Sequence, residues 1–190
     1  MTPLLTSQQP GTGQLSPLLS PLPSFGPQHH LKFGFFEIQI GRYDEPSVLM
    51  GSSPITVLIG GNADDVLINF GQMVDVINAG GGNDLILLGN QGGYNQNIVT
   101  AGYGADTILI NDNGVGYQAT TLTDFRSWEG DQLLIHQQVD GYEFVLDGFE
   151  AAKYGGYSQD GDLHYGTGAQ HIKFVGLGHE LVDWTMGGKG

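Results

Sequence analysis

A chain of 190 residues with 20 acidic side chains against 6 basic ones carries a net charge of −14. Such a molecule repels phosphate backbones and anionic headgroups, which argues against nucleic acid and membrane surfaces as partners and favours cations. No cysteine is present, so disulfides, thiolate nucleophiles and thiolate zinc sites are excluded, and no apolar run approaches the length of a membrane-spanning helix.

Residues 1–30 are rich in Pro, Ser, Gln and Leu and read as a disordered leader; the stretch to Pro27 lacks the basic region of a secretory signal peptide. His29 and His30 adjoin there, too few ligands for a metal site of their own. From Leu31 to Tyr43 the run LKFGFFEIQIGRY predicts a strand, with Phe33, Phe35, Ile38 and Ile40 as its apolar residues. Residues 31–50 are therefore assigned to an N-terminal capping strand, because the first coil of a repeat array exposes a core edge and unpaired backbone groups.

Residues 60–109 repeat a nine-residue phrase five times: GGNADDVLI from Gly60, FGQMVDVIN from Phe70, AGGGNDLIL from Ala79, GGYNQNIVT from Gly92 and AGYGADTIL from Ala101. The template is GGxGxDxUx, with U a large aliphatic. A period this short predicts an all-β, parallel β-roll (β-solenoid) in which six residues of each phrase turn and three form a strand. The interleaved aliphatics are also why 32 glycines here indicate order. Glycine reaches the positive φ that folds carbonyls inward. A carboxylate at the sixth position, as in Asp65, Asp75, Asp84 and Asp106, adds the charge that a hard, oxygen-seeking ion such as calcium (Ca2+) requires. At the eighth position Leu67, Ile77, Ile86, Val99 and Ile108 supply a narrow core.

These phrases resemble the RTX family, the hemolysin-type calcium-binding repeats of secreted bacterial toxins, serralysin-like proteases, lipases and adhesins. The resemblance implies a right-handed roll over residues 51–135, with two repeats per coil and each ion held between turns two repeats apart on one edge. One edge then carries Gly60, Gly61, Ala63 and Asp65, then Ala79, Gly80, Gly82 and Asp84, then Ala101, Gly102, Gly104 and Asp106. Two ions are expected there, between Asp65 and Asp84 and between Asp84 and Asp106. By coil counting Asp131 joins this edge and offers a third site with Asp106. The other edge holds Thr56, Asp75, Asn97 and Thr120 at sixth positions, has lost most of its glycines and takes the insertions at Asn69, Leu88 to Gln91 and Ile110 to Asn113. It is expected to bind ions weakly or not at all.

The outward positions on one sheet, Val66, Ile68, Leu85, Leu87, Thr107 and Leu109, make an apolar stripe that calls for a cover: the Phe33 to Ile40 strand, the C-terminal region or a second copy. The other sheet, with Val57, Ile59, Val76, Asn78, Ile98, Thr100, Thr121 and Thr123, becomes polar downstream. In the closing TLTDFRSWEGDQLLI, Asp124 is a candidate turn acceptor and Trp128 a packing residue. Residues 136–190 alternate short apolar runs with Gly and Asp turns and predict an antiparallel C-terminal cap. The run from His171 to Trp184 resembles a type I secretion ending, although the final MGGKG departs from the usual aliphatic terminus. That resemblance implies a bacterial protein exported to the extracellular space.

No catalytic residue or cofactor site emerges. GHELVDW opens like a zinc-binding HExxH, but Asp183 stands in place of the second His. His136, His164 and His171 are scattered. The reading is a secreted calcium-binding structural or binding module that folds on calcium and can self-associate through its apolar stripe. An auxiliary module of a polysaccharide-modifying or proteolytic system and an ice-binding roll are the alternatives.

Overall fold

The structure, a computed structural model, describes residues 25–89, 92–112, 116–139, 142–147, 162–165 and 170–175. The leader to residue 24, the His179–Glu180 motif and most of the export-like ending lie outside the described residues. Among the described residues fourteen strands follow in order: β1 His29–Phe33, β2 Phe36–Ile40, β3 Val48–Gly51, β4 Ile55–Ile59, β5 Val66–Asn69, β6 Val74–Gly81, β7 Leu85–Gly89, β8 Tyr94–Tyr103, β9 Thr107–Asp112, β10 Tyr117–Leu122, β11 Gln132–Val139, β12 Tyr142–Asp147, β13 Asp162–Tyr165 and β14 Gln170–Phe174. From β2 to β11 they alternate between an eight-stranded sheet, β1-β2-β4-β6-β8-β10-β14-β13, and a six-stranded sheet, β12-β11-β9-β7-β5-β3. Every pairing between successive coils is parallel, so the chain winds as a β-solenoid of about four turns.

Alternation builds the interior. On the eight-stranded sheet Leu58, Ile77, Val99 and Leu122 stand in one register, and on the six-stranded sheet Leu49, Leu67, Ile86, Ile108 and Leu133 do the same. All nine are buried, and each buried aliphatic of this kind contributes roughly 1.5–3 kcal/mol. Several strands are longer than three residues. β6 and β8 continue through Gly81 and Tyr103 because the turns themselves stack in register, Gly80 beside Gly102 and Gly81 beside Tyr103.

The N-terminal end is built differently from the single capping strand expected over residues 31–50. The stretch supplies a hairpin, β1 antiparallel to β2, and then β3; β2 and β3 are already the first parallel rungs beside β4 and β5. The residues of β2 that point inward are Glu37 and Gln39, both buried, while Phe36, Ile38 and Ile40 lie on the outer face. Polar side chains fit here because they serve the open end of the coil. The Gln39 amide accepts from Met50 N–H at 3.0 Å and donates to Met50 O at 2.5 Å, standing in for a missing strand beside β3. Val48 N–H donates to Phe25 O on the same edge.

Glu37 accepts from Gln39 Nε2, Ser52 N–H and Ser53 Oγ, and pairs with His30 Nε2 at 2.8 Å and Lys32 Nζ at 3.4 Å. Burial alone would raise its pKa, but the hydrogen bonds from Gln39, Ser52, Ser53 and His30 bring it down to about 2. The stability it contributes is present above its ordinary 4.5 and is lost as pH falls toward 2.

Beyond β11 the described strands bring the expected antiparallel pairings and one parallel pairing. β12 folds back on β11, and β14 extends the eight-stranded sheet in parallel beside β10 before β13 closes it antiparallel. Two expectations change. The Phe33 to Ile40 segment does not cover the stripe on the six-stranded sheet, because β2 belongs to the other sheet. Trp128, expected to pack, is 64% exposed on a 3-10 turn over Ser127–Glu129 that bulges from the β10–β11 connection. Phe125 packs instead, edge-on to Phe174 at 5.5 Å.

If Gln39 closes the open edge, Gln39→Ala should lower the unfolding free energy by about 1–3 kcal/mol, since buried donors and acceptors lose their partners. Urea unfolding in calcium measures this; an unchanged midpoint would show that the edge needs no such plug.

Candidate metal centre

The turns that carry the chain from the eight-stranded to the six-stranded sheet line up the sixth-position aspartates. Asp65, Asp84, Asp106 and Asp131 are all buried, and each binds an amide of the coil before it. Ser47 N–H donates to Asp65 Oδ1 at 2.6 Å, Asp65 N–H to Asp84 Oδ1 at 2.7 Å, Asp84 N–H to Asp106 Oδ1 at 2.8 Å and Asp106 N–H to Asp131 Oδ1 at 3.1 Å. The ladder unites the four residues that coil counting assigned to one edge.

The second oxygens divide the ladder into ends and middle. Asp65 Oδ2 accepts from Gly61 N–H and Asp131 Oδ2 from Arg126 N–H, each at 2.6 Å. Asp84 Oδ2 and Asp106 Oδ2 are buried with no hydrogen-bond donor. Burial, with the like charges of Asp106 and Asp65, pushes the Asp84 carboxyl up to about 7. Burial, with the charges of Asp131, Asp124 and Glu129, takes Asp106 to about 6, and burial likewise raises Asp65 and Asp131.

The glycines let these turns stack closely. Gly80 and Gly102 have φ of 106° and 105°, in the left-handed region, and a Cβ on Gly102 would run into the Gly80 carbonyl. Among the described residues no group of three or more His, Asp or Glu side chains converges on one point. A centre here is therefore one or two carboxylates completed by peptide carbonyls. The donor set holds oxygen alone, with two anionic oxygens lacking a donor, and so fits a hard divalent cation such as calcium.

The opposite edge has other chemistry. Thr56, Asp75, Asn97 and Thr120 share one register there. Thr56 N–H donates to Asp75 Oδ1 at 3.1 Å, and Asn97 Nδ2 donates to Thr120 Oγ1 at 3.2 Å. Burial raises Asp75 to about 6. Asp75 Oδ2 is, like those of Asp84 and Asp106, buried without a donor, but its neighbours are neutral: Asn69 leaves a donor unmet, Asn95 and Asn97 leave carbonyl oxygens unmet, and buried Gln118 leaves both a donor and an acceptor. Such a mixture can be satisfied by water, whereas the unmet groups of the aspartate ladder are acceptors alone.

Three residues of the aspartate edge escaped the sequence reading, and a fourth keeps the role read for it. Asp64 and Asn83, at the unassigned fifth position, form an outer ladder: Asp64 Oδ1 accepts from Asn83 N–H at 2.7 Å and Asn83 Oδ1 from Ala105 N–H at 2.9 Å. The repeated Asx before the sixth-position Asp was the available signal. Asp124 is the turn acceptor anticipated for it, binding Ala101 N–H and Gly102 N–H at 2.8 and 2.9 Å. Arg126 donates from Nη1 to Gly102 O at 3.0 Å and lies 5.5 Å from the Tyr103 ring centroid. A guanidinium thus sits beside the position offered as a third ion site.

Fold and edge together define a class: an all-β parallel solenoid with an acceptor-rich carboxylate ladder along one edge. Compared with protein-family models, curated proteins and solved structures, the chain has no match.

A carboxyl held above its ordinary 3.8 stabilises the folded chain fully below that value, and the contribution is lost as pH rises through the folded pKa. In chelator the β-structure read by far-UV circular dichroism should therefore fall between pH 5 and pH 8, and excess calcium should flatten that fall. β-Structure in chelator that rises over this range would contradict the ladder's electrostatics.

Proposed function

We propose that this chain is a secreted calcium-binding β-roll protein that folds on calcium and acts as a structural or binding module. The observation that carries the reading is the pair of buried, donor-free carboxylate oxygens on Asp84 and Asp106, in a stack whose unmet polar groups are all acceptors. Resemblance of the repeats to the RTX family supports it independently of the fold.

Bound calcium would supply positive charge to oxygens that burial and mutual repulsion otherwise force toward protonation. Asp65, Asp84 and Asp106 would hold it, with carbonyls of the glycine turns completing the shell. Without calcium the ladder's charges oppose coil closure; with it, the free energy of binding is added to folding. Export before folding follows from this, because a cytoplasm poor in calcium would leave the chain loose and the extracellular medium would close it. Arg126 supplies a resident positive charge at the last turn, so we place two ions on this edge and none between Asp106 and Asp131.

Calcium titration by calorimetry and far-UV circular dichroism test this reading. Wild-type protein should gain β-structure on calcium addition. Asp84→Ala should weaken binding by about tenfold or more through loss of ligand charge, and Asp75→Ala should change it little. Full β-structure in chelator that calcium leaves unchanged would sink the folding switch, and equal losses in the two variants would sink the one-sided placement.

A further inference from the structure

The two sheets end in four edge strands. β3 is plugged by the Gln39 amide and by Phe25 O. β1 is different. It is HHLKF, without an acid or a proline, and its register with β2 runs unbroken from His29 beside Ile40 to Phe33 beside Phe36.

All five residues of β1 are exposed, because the six-stranded sheet has no strand beneath it. Its polar guards are turned away from the edge, with His30 and Lys32 reaching back to Glu37. On the other face Leu31 is 49% and Phe33 65% exposed. A two-stranded overhang of this kind gains most from a further strand. In a chain of net charge −14, an edge with no carboxylate is also where two copies meet with least repulsion.

We propose that β1 is a dimerisation strand. It pairs antiparallel with β1 of a second copy about a two-fold axis at Leu31 and joins the two eight-stranded sheets edge to edge. This register overlaps all five residues, placing Leu31 opposite its own counterpart and Phe33 opposite His29 of the other copy. An isologous contact of this type closes at two copies, which distinguishes it from open-ended stacking. The proposal concerns the strand edge, not the apolar outer face of the six-stranded sheet, and it does not depend on ion binding.

Sedimentation of the full chain in calcium, with far-UV circular dichroism to confirm folding, decides it. Wild type should sediment as a dimer. Leu31→Lys and Leu31→Glu should each raise the dimer dissociation constant about tenfold or more, since each puts like charges opposite one another. Mixed in equal amounts, the two variants should form a heterodimer, which misfolded chains could not do. Met50→Lys, on the outer face of the six-stranded sheet, should leave the dimer intact. A monomeric wild type, a Leu31→Lys dimer as tight as wild type, a mixture that stays monomeric, or loss of the dimer in Met50→Lys would each overturn the proposal.

Discussion

One hydrogen bond, repeated coil after coil, organises this molecule: a buried aspartate oxygen accepting the amide of the equivalent residue one turn earlier. Asp65, Asp84, Asp106 and Asp131 each make it. It fixes the stacking register on that edge, and a slip would strand both the carboxylate and the amide in a dry interior. It also commits the fold to a cost, because each carboxylate has two oxygens and the amide occupies one. At the ends, backbone amides of Gly61 and Arg126 take the second oxygen; in the middle nothing among the described residues does.

That constraint explains why the two edges differ. The turns that carry Asp65, Asp84 and Asp106 approach one another closely, so they keep glycines and admit no extra residues; the last turn, to Asp131, takes a 3-10 bulge. The opposite edge has Asp75 as its one sixth-position aspartate among Thr and Asn residues, so it builds no ladder of stacked carboxylates, and the longer connections of the later coils fall there. The aliphatic columns between the edges are indifferent to this asymmetry, and they give the solenoid its continuous core. Its ends need separate solutions: Glu37 and Gln39 close the first coil with hydrogen bonds, whereas antiparallel strands close the last.

The repeat was legible because its period, glycines and aliphatics report directly on backbone geometry. Eighth-position aliphatics are buried, sixth-position residues share registers, and Asp131 falls on the aspartate edge. What escaped the sequence was whatever departs from the phrase. β2 and β3 form a rung with no repeat phrase to announce it, and in β2 the apolar Ile38 and Ile40 lie outward while the inward residues are Glu37 and Gln39. Inward polarity is intelligible only once the open edge beside Met50 is known. Trp128 misled for a related reason: aromatic character predicts burial on average, but a 3-10 bulge set it outside. Asp64, Asn83 and Arg126 sit at positions where the template tolerates any residue, so only the Asx that precedes Asp65 and Asp84 hinted at the outer ladder and nothing announced Arg126.

The central claim is that the aspartate edge, and not its opposite, is built to hold divalent cations. Anomalous diffraction from crystals grown in calcium tests it most directly. Peaks beside Asp84 Oδ2 and Asp106 Oδ2, with none beside Asp75, are the result this account predicts. An empty aspartate edge, or peaks of equal height beside Asp75, would contradict it.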